Sequence, residues 1–484
     1  MPDRPNILFI NTDQHTWDVV SAYGYPYVKT PNIDRIVRNG VSFMRSYSTD
    51  PVCGPTRASW MTGRYTSELG TPFNGGHLHE DIPDLGQVLN SNGYQAFHSG
   101  KWHVDGRDVK NSFQLLYIGN RPIGAGGGEY YDGAITHAAI DFLSRYDDSD
   151  PFFLQVPYVN PHDICQCEHD HEEKTIPDPI AQGILSEEDL PPLPLNFHYD
   201  ERETVVHKVA RRMDECLIHW PILRKVRHWS EIQWRYLIWQ HHRLVEKVDS
   251  EIGLLLEALD KSRFRDNTLI MFTMDHGEAY GQHQMFQKFS LYEASVRVPF
   301  IVASLGDDLD VPKDLRDETH FVSGVDLFPT VCDYAGIDII DGVQGRSLKP
   351  LVEGQNPAWR EFAYIESNGW ARSLVFDRYK YVGEYIPFGT EQDLEPIEPD
   401  RERIGLEQIF DLVEDPDETH NLAYQPEMRD MLKRFRQLMM DFEGELNRRR
   451  MTAKRPATQL LNWGKQIRGY WDAHPELEEM RIRL

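Results

Sequence analysis

Two apolar runs, far apart in the chain, constrain the fold more than any other feature. Asn6-Ile7-Leu8-Phe9-Ile10 leads into Asn11-Thr12-Asp13-Gln14, and Thr268-Leu269-Ile270-Met271-Phe272-Thr273 leads into Met274-Asp275-His276-Gly277-Glu278. Continuous apolar runs of this length fit parallel strands covered on both faces. In open α/β sheets, ligands bind outside the carboxyl ends of the strands. The acidic residues closing both runs therefore fall where a site is expected. Phe152-Phe153-Leu154-Gln155-Val156, followed by Asn160-Pro161-His162, is a third such strand, and Val298-Pro299-Phe300-Ile301-Val302 a fourth.

Helical patterns alternate with these strands. Ile232, Tyr236, Trp239, Leu244, Val248, Ile252, Leu255 and Leu259 recur mostly at steps of three and four, the period of an amphipathic helix. Asp326 to Ala335 reads as a helix with Gly336 as its stop. The alternation predicts an α/β fold, a large mixed, mainly parallel sheet flanked by helices. With 484 residues the chain exceeds a single core and should divide. From about 361 the pattern turns to short strands, then helices near 425–447, which predicts a smaller C-terminal α+β domain. The expected division is a catalytic domain over 1–360 and a smaller one over 361–484. Residues 163–230, rich in Pro, acidic residues and His, read as an insertion in the first.

The net charge of −26 argues against a broad nucleic-acid surface. It also repels anions at long range, so an anionic substrate requires positive charge concentrated in the pocket. No run reaches the ~18 apolar residues of a membrane span. Met1-Pro2-Asp3-Arg4 runs straight into the first strand without the apolar stretch of a signal peptide. The expectation is a cytoplasmic protein, although a trimmed periplasmic or secreted one reads the same. Five cysteines, an odd count in a long chain, do not indicate a disulfide framework. Sequence leaves the oligomeric state open.

The most chemically informative segment is Cys53-Gly54-Pro55-Thr56-Arg57. Pro55 suits the first turn of a helix, where its missing donor costs nothing. Ala58 to Thr62 can continue that helix and Gly63 can end it. Cys53 then sits at a helix N-terminus, which favours an anion, with Arg57 one turn on. Asp13 and Asp275 are predicted at strand ends, where hard divalent cations find oxygen ligands; Gln14 and His276 can complete such a set. A histidine ligand leaves Mn²⁺ or Zn²⁺ open beside Ca²⁺ and Mg²⁺.

The Cys53 segment, continued by Thr62-Gly63-Arg64, resembles the type I sulfatase signature within the alkaline phosphatase-like superfamily. Gly100-Lys101-Trp102-His103, Asn160-Pro161-His162, Asp275-His276-Gly277-Glu278 and Gln287-Lys288 with Arg297-Val298-Pro299 are similar to further family elements in the family's order. Phe410-Asp411-Leu412 through Asn421-Leu422-Ala423 resembles the family's ending. The resemblance covers most of the chain except 163–230 and the tail beyond 450. One departure stands out: Gln14 occupies the place of the family's second adjacent Asp.

The resemblance implies hydrolysis of a sulfate ester, on a carbohydrate or another small alcohol. It implies that a maturation enzyme converts Cys53 to formylglycine, whose hydrate is the nucleophile. It implies a divalent cation, Ca²⁺ ahead of Mg²⁺ or Mn²⁺, held by Asp13, Gln14, Asp275, His276 and residue 53. Lys101, His162 and Lys288 are then the substrate clamp, with His162 and Lys288 candidates to protonate the leaving oxygen. Arg57 holds the hydrate and the metal ligands. His103 removes the proton from the second hydroxyl, so that sulfate leaves and the aldehyde returns. The rival reading is phosphonate monoester or phosphodiester hydrolysis with the same nucleophile, and a third is a non-catalytic anion-binding protein.

Three other features carry weaker expectations. Cys165-Gln166-Cys167-Glu168-His169-Asp170-His171 is spaced too tightly for an ordinary zinc site and reads as a polar loop beside the pocket entrance. Trp220, Trp229, Trp234, Tyr236 and Trp239 read as core before sugar platform. Arg448-Arg449-Arg450 with Lys454 and Arg455 reads as a solvated tail or an interface.

Overall fold

The structure, a computed structural model, describes residues 4–118, 127–167, 176–200, 203–204, 207, 211, 228–367, 371–384 and 407–450. Its strands are β1 (Asn6–Asp13), β2 (Gly40–Phe43), β3 (Ser46–Tyr47), β4 (Gln95–Ser99), β5 (Gln114–Tyr117), β6 (Phe152–Pro161), β7 (Thr268–Met274), β8 (Phe300–Ser304), β9 (Leu315–Asp317) and β10 (Val322–Ser323). Eight of them form one sheet in the order β5-β4-β6-β1-β7-β8-β2-β9, and β3 pairs with β10 beside it. All neighbours from β5 to β7 are parallel, whereas β8 runs antiparallel to both β7 and β2. The sheet is thus mixed and mainly parallel, as the strand pattern predicts.

The apolar run of β1 has its physical reason in two cores. Ile7 and Phe9 face one core, and Leu8 and Ile10 face the other. All four are fully buried, and each contributes roughly 1.5–3 kcal/mol by leaving water. On one face lie the helices Cys53–Thr62, Leu85–Ser91 and Leu327–Tyr334. On the other lie Gly128–Arg145 and Glu231–Lys261, the latter presenting Val248, Ile252, Leu255 and Leu259. The expected helix near 230–260 is therefore found. Among the described residues, no helix is long and apolar enough to cross a membrane.

A second, antiparallel sheet of four strands follows: β11 (Phe362–Ser367), β12 (Ala371–Phe376), β13 (Tyr379–Glu384) and β14 (Glu407–Asp411). The helix Arg429–Arg450 lays Phe435 and Met439 against Tyr364, Leu374, Tyr381 and Ile409 of that sheet. The Glu366 N–H donates to Thr49 O at 2.8 Å and the Ser367 hydroxyl to Phe289 O at 3.1 Å, joining the small sheet to the loops above the large one.

The adjacency of β4, β6, β1 and β7 positions the site. Their carboxyl ends continue directly into Gly100-Lys101, His162, Gln14 and Asp275, respectively.

Candidate active site

The helix Cys53–Thr62 is buried along its whole length. It therefore carries no amphipathic stripe, and its ends are set by Pro55 in the first turn and Gly63 at φ 64°. The Gly54 N–H donates to Asn74 Oδ1 at 3.0 Å, which satisfies one of the free donors at the helix start. Cys53 Sγ lies 3.2 Å from His276 Nε2 and 3.1 Å from Lys288 Nζ. Burial pushes the thiol up, but Lys101, Lys288 and His276 outweigh it and hold the group well below its ordinary value.

Asp13 and Asp275 meet at this sulfur's side. Arg57 Nη2 donates to Asp13 Oδ2 and to Asp275 Oδ2, both at 2.9 Å, and Arg57 Nη1 donates to Lys101 O at 3.0 Å. Burial and the Asp13 charge push Asp275 up to about 6. Asp13 moves the other way: burial opposes its charge, but Lys101, His162 and Arg57 hold it below the usual carboxylate range. The two adjacent carboxylates repel each other, and the cationic groups nearest Asp13 keep that one ionised.

Ligand atoms of Asp13, Cys53, Asp275 and His276 lie within 4.8 Å of one another, all buried. Two carboxylates, an imidazole and a thiol at this spacing fit a divalent cation. Gln14 adjoins this set. Its N–H donates to Asp275 Oδ1 at 3.1 Å, its Oε1 accepts from Lys288 Nζ at 2.8 Å, and its Nε2 donates to Glu278 Oε2 at 2.5 Å.

Lys101 Nζ lies 2.6 Å from Asp13 Oδ2. His103, with φ 51°, places Nε2 3.9 Å from Asp105 Oδ2. His162 follows the end of β6, with its N–H bonded to Val159 O at 3.1 Å. Burial, then Lys101 and Lys288, push its ring down to about 4. Lys288 is 5 % exposed, and the Cys53 charge holds its proton more firmly than usual against the cost of burial. The structure thus brings Asp13, Gln14, Cys53, Arg57, Lys101, His103, His162, Asp275, His276 and Lys288 to one rim of the sheet. The positive charge demanded by the acidic exterior is concentrated there.

Sequence reading assigned no part to Asn74, Asp105 or Glu278. Asn74 caps the Cys53 helix, and Asp105 accepts the Gly75 N–H at 2.6 Å. Asn74-Gly75-Gly76 is a turn signal, but turn signals do not say what the turn touches. Glu278 is buried and also accepts the Tyr280 and Gln287 N–H groups at 3.1 and 2.6 Å.

Cys165 lies beside the site, its Sγ 3.3 Å from Gln14 Nε2, on the short helix Ile164–Cys167. Glu168, His169, Asp170 and His171 lie outside the described residues, as do Trp220, Lys454 and Arg455. Trp234 and Tyr236 are buried, Trp234 against Ile164, Leu237 and Phe286, in line with core packing.

Comparison with known proteins agrees with this geometry. The family model described as Sulfatase matches residues 5–337, and that described as N-sulphoglucosamine sulphohydrolase, C-terminal, matches 281–445. An N-acetylglucosamine-6-O-sulfatase of Bacteroides thetaiotaomicron is 27% identical, covering 90% of this chain and 86% of the relative. A Delta 4,5-hexuronate-2-O-sulfatase of the same organism is 28% identical, covering 91% and 89%. The solved structure of a 2-O GAG sulfatase superposes with a TM-score of 0.77 at 25% identity, covering 93% of this chain and 94% of that one. A phosphonate monoester hydrolase of Agrobacterium radiobacter shares the fold, with a TM-score of 0.70 at 21% identity over 92% and 96%. On the match over most of its length, the chain belongs to the sulfatase family of sulfuric ester hydrolases.

Proposed function

We propose that this chain hydrolyses a sulfate ester carried by a saccharide, with position 53 in its formylglycine form. The observation that carries the reading is the placement of Cys53 Sγ within 3.2 Å of both Lys288 and His276, inside a four-residue donor set. In this structure the sulfur stands where the oxygens of the aldehyde hydrate belong. Asp13, Asp275, His276 and residue 53 are the residues that would hold the cation, and Gln14 supports them through Asp275 and Lys288. Two carboxylates put Ca²⁺ first, with Mg²⁺ or Mn²⁺ as the alternatives. When bound, the hydrate supplies the nucleophile and the cation neutralises charge on the reacting oxygens.

The chain's own residues do the rest. Arg57 fixes both carboxylates, Nη2 bridging Asp13 and Asp275 while Nε also donates to Asp275 Oδ2 at 3.1 Å, so neither can turn from the site. Lys288, 3.1 Å from Cys53 Sγ, and Lys101 place positive charge beside residue 53 and clamp a tetrahedral anion, a preorganised electrostatic arrangement. Burial, with Lys101 and Lys288 nearby, disfavours the charged form of the His162 ring. A bound anion offsets the two lysines that depress it and readies the ring, with Lys288, to give a proton to the leaving oxygen. His103 would take the proton when sulfate is released.

Saccharide substrates are favoured because the relatives named above are sulfatases of N-acetylglucosamine and hexuronate. Gly100-Lys101-Trp102-His103, similar to the sulfatase element, favours sulfate over phosphonate. The test is a panel of sulfated sugars, aryl sulfates, phosphonate monoesters and phosphodiesters, assayed after expression with a formylglycine-generating enzyme. Turnover of sulfated sugars above all others is expected; preference for phosphonate overturns the reading. Intact mass checks position 53, and an unconverted cysteine with no turnover indicates a binding protein.

A further inference from the structure

Lys288 sits in a loop of unusual backbone. Tyr280, His283, Gln284, Gln287 and Phe289 all have positive φ, at 32°, 52°, 53°, 68° and 79°. Left-handed backbone is unfavourable for residues with a Cβ and persists only when the surroundings over-determine it. Some support is local: Gln287 O accepts from the Ala279 N–H at 2.8 Å, and Glu278 takes the Gln287 N–H. The Phe289 N–H also donates to Pro51 O, and its carbonyl accepts from the Ser367 hydroxyl. Further support comes from the stretch between β6 and the helix Glu231–Lys261, which the recognised motifs do not cover.

Three residues of that stretch grip the loop. The Asn196 backbone carbonyl accepts from the His283 N–H at 2.7 Å. Arg211 Nε donates to His283 O at 2.8 Å. His207 is fully buried and holds the far end: its Nε2 accepts from the Leu291 N–H at 3.0 Å. Its other nitrogen, Nδ1, lies 2.7 Å from Gln408 Oε1, which fixes the tautomer with the proton on Nδ1. The His207 ring stacks on Tyr292 at 3.9 Å and 17°, and the His283 ring stacks on Tyr292 at 3.7 Å and 10°. Two rings parallel to a third at these distances occupy its opposite faces. Tyr292 is therefore clamped between the loop's own His283 and the inserted His207, with Lys288 between the clamped points.

We infer that His207 is a positioning residue for Lys288: it closes a histidine–tyrosine–histidine stack that holds the left-handed loop in the form that aims Lys288 at residue 53. The inference rests on the role of Lys288 given above. His207 touches neither Cys53 nor any of the donor set among its recorded contacts, so its effect must pass through the loop.

A double-mutant cycle on the matured enzyme tests it. His207→Ala is expected to lower kcat/KM about tenfold with Lys288 present and less than twofold in the Lys288→Ala background. Equal losses in both backgrounds overturn the proposal. His207→Phe keeps the stack and loses the bond to Leu291; it is expected to show a smaller loss with the same dependence on Lys288, and it replaces His207→Ala if that variant does not fold. His207→Gln restores an acceptor near the Nε2 position without the ring and is expected to recover only part of the activity; full recovery counts against the stack, and no recovery counts against the bond to Leu291. Amide hydrogen exchange gives a readout besides activity. Exchange over 279–292 should quicken in His207→Ala while β7 stays protected, and unchanged exchange overturns the proposal. A fully active Lys288→Ala enzyme instead removes the assigned role of Lys288, and the exchange result still decides whether His207 holds the loop.

Discussion

A single guanidinium nitrogen, Nη2 of Arg57, lies 2.9 Å from a carboxylate oxygen of both Asp13 and Asp275, with all three side chains buried. Removing the cation leaves two buried carboxylates facing each other. Arg57→Ala is therefore expected to cost about 3–5 kcal/mol of stability. Added Ca²⁺ or Mn²⁺ should return part of that loss, because it neutralises the same two groups. Arg57→Lys keeps the charge but loses the fork, so it should fold better than Arg57→Ala and still turn over poorly. Thermal melting with and without cation measures this; an Arg57→Ala melt like the wild type without cation would refute it.

Asp275 is predicted to trade stability for binding. Its carboxylate is disfavoured by burial and by the Asp13 charge, while its Oδ2 still accepts from Arg57. Asp275→Asn removes the repulsion and keeps an acceptor. The cation-free variant should melt no lower than the wild type, while cation affinity falls at least about tenfold, no less than an outer-shell change costs. Calorimetric titration and melting on the same samples decide. Unchanged cation affinity in Asp275→Asn would argue against the donor set described above.

How much of this was legible in the chain depends on the element. β1 and β7 could be read because they are covered on both faces and so are apolar throughout. Edge strands could not: β5 is half-buried at best, and β9 has three residues with Leu315 exposed. The Cys53 helix was readable only from Pro55 and Gly63, since a fully buried helix has no polar face to give a period. The site residues were readable as short motifs. Their convergence follows from β4, β6, β1 and β7 lying side by side, a long-range pairing that no local run encodes. The grip of Asn196, His207 and Arg211 on the Lys288 loop was not readable at all, because each of those residues alone looks like any polar residue in a loop.

A pH dependence of stability follows from Asp132. Its carboxylate accepts the Val159 and Asn160 N–H groups at 2.8 and 3.0 Å, just before His162. Burial pushes it up to about 7, against the pull of those hydrogen bonds. In the unfolded chain it titrates near 3.9. Between roughly pH 4 and 7 the native state thus holds a proton that the unfolded state has lost. Stability from this group is complete below that window and declines as pH rises through it, by at most about 1.4 kcal/mol per pH unit. Asp132→Asn should flatten that part of the profile. Urea unfolding of both proteins at pH 5, 6 and 7 measures the difference, and parallel profiles sink the assignment.

Gly100 sets where Lys101 can stand. Its φ of 142° takes the chain out of β4, and an added Cβ falls 2.2 Å from Pro157 O. The next residue uses that same carbonyl: the Lys101 N–H donates to Pro157 O at 2.9 Å. Any side chain at position 100 must therefore push β4 from β6 and break the contact that anchors Lys101. That displacement also moves Lys101 O, which accepts from Arg57, and Lys101 Nζ, which pairs with Asp13. Gly100→Ala is expected to lose about 1–3 kcal/mol from overpacking, and a shift of about 1 Å at the lysine can cost on the order of 10² in turnover. Gly24→Ala is the control, because Gly24 has φ 94° but nothing within 4 Å of the added atom. It shares the backbone strain without the clash, so it should lose stability and keep its kcat. If Gly100→Ala also keeps its kcat, the close approach to Pro157 is not what aims Lys101.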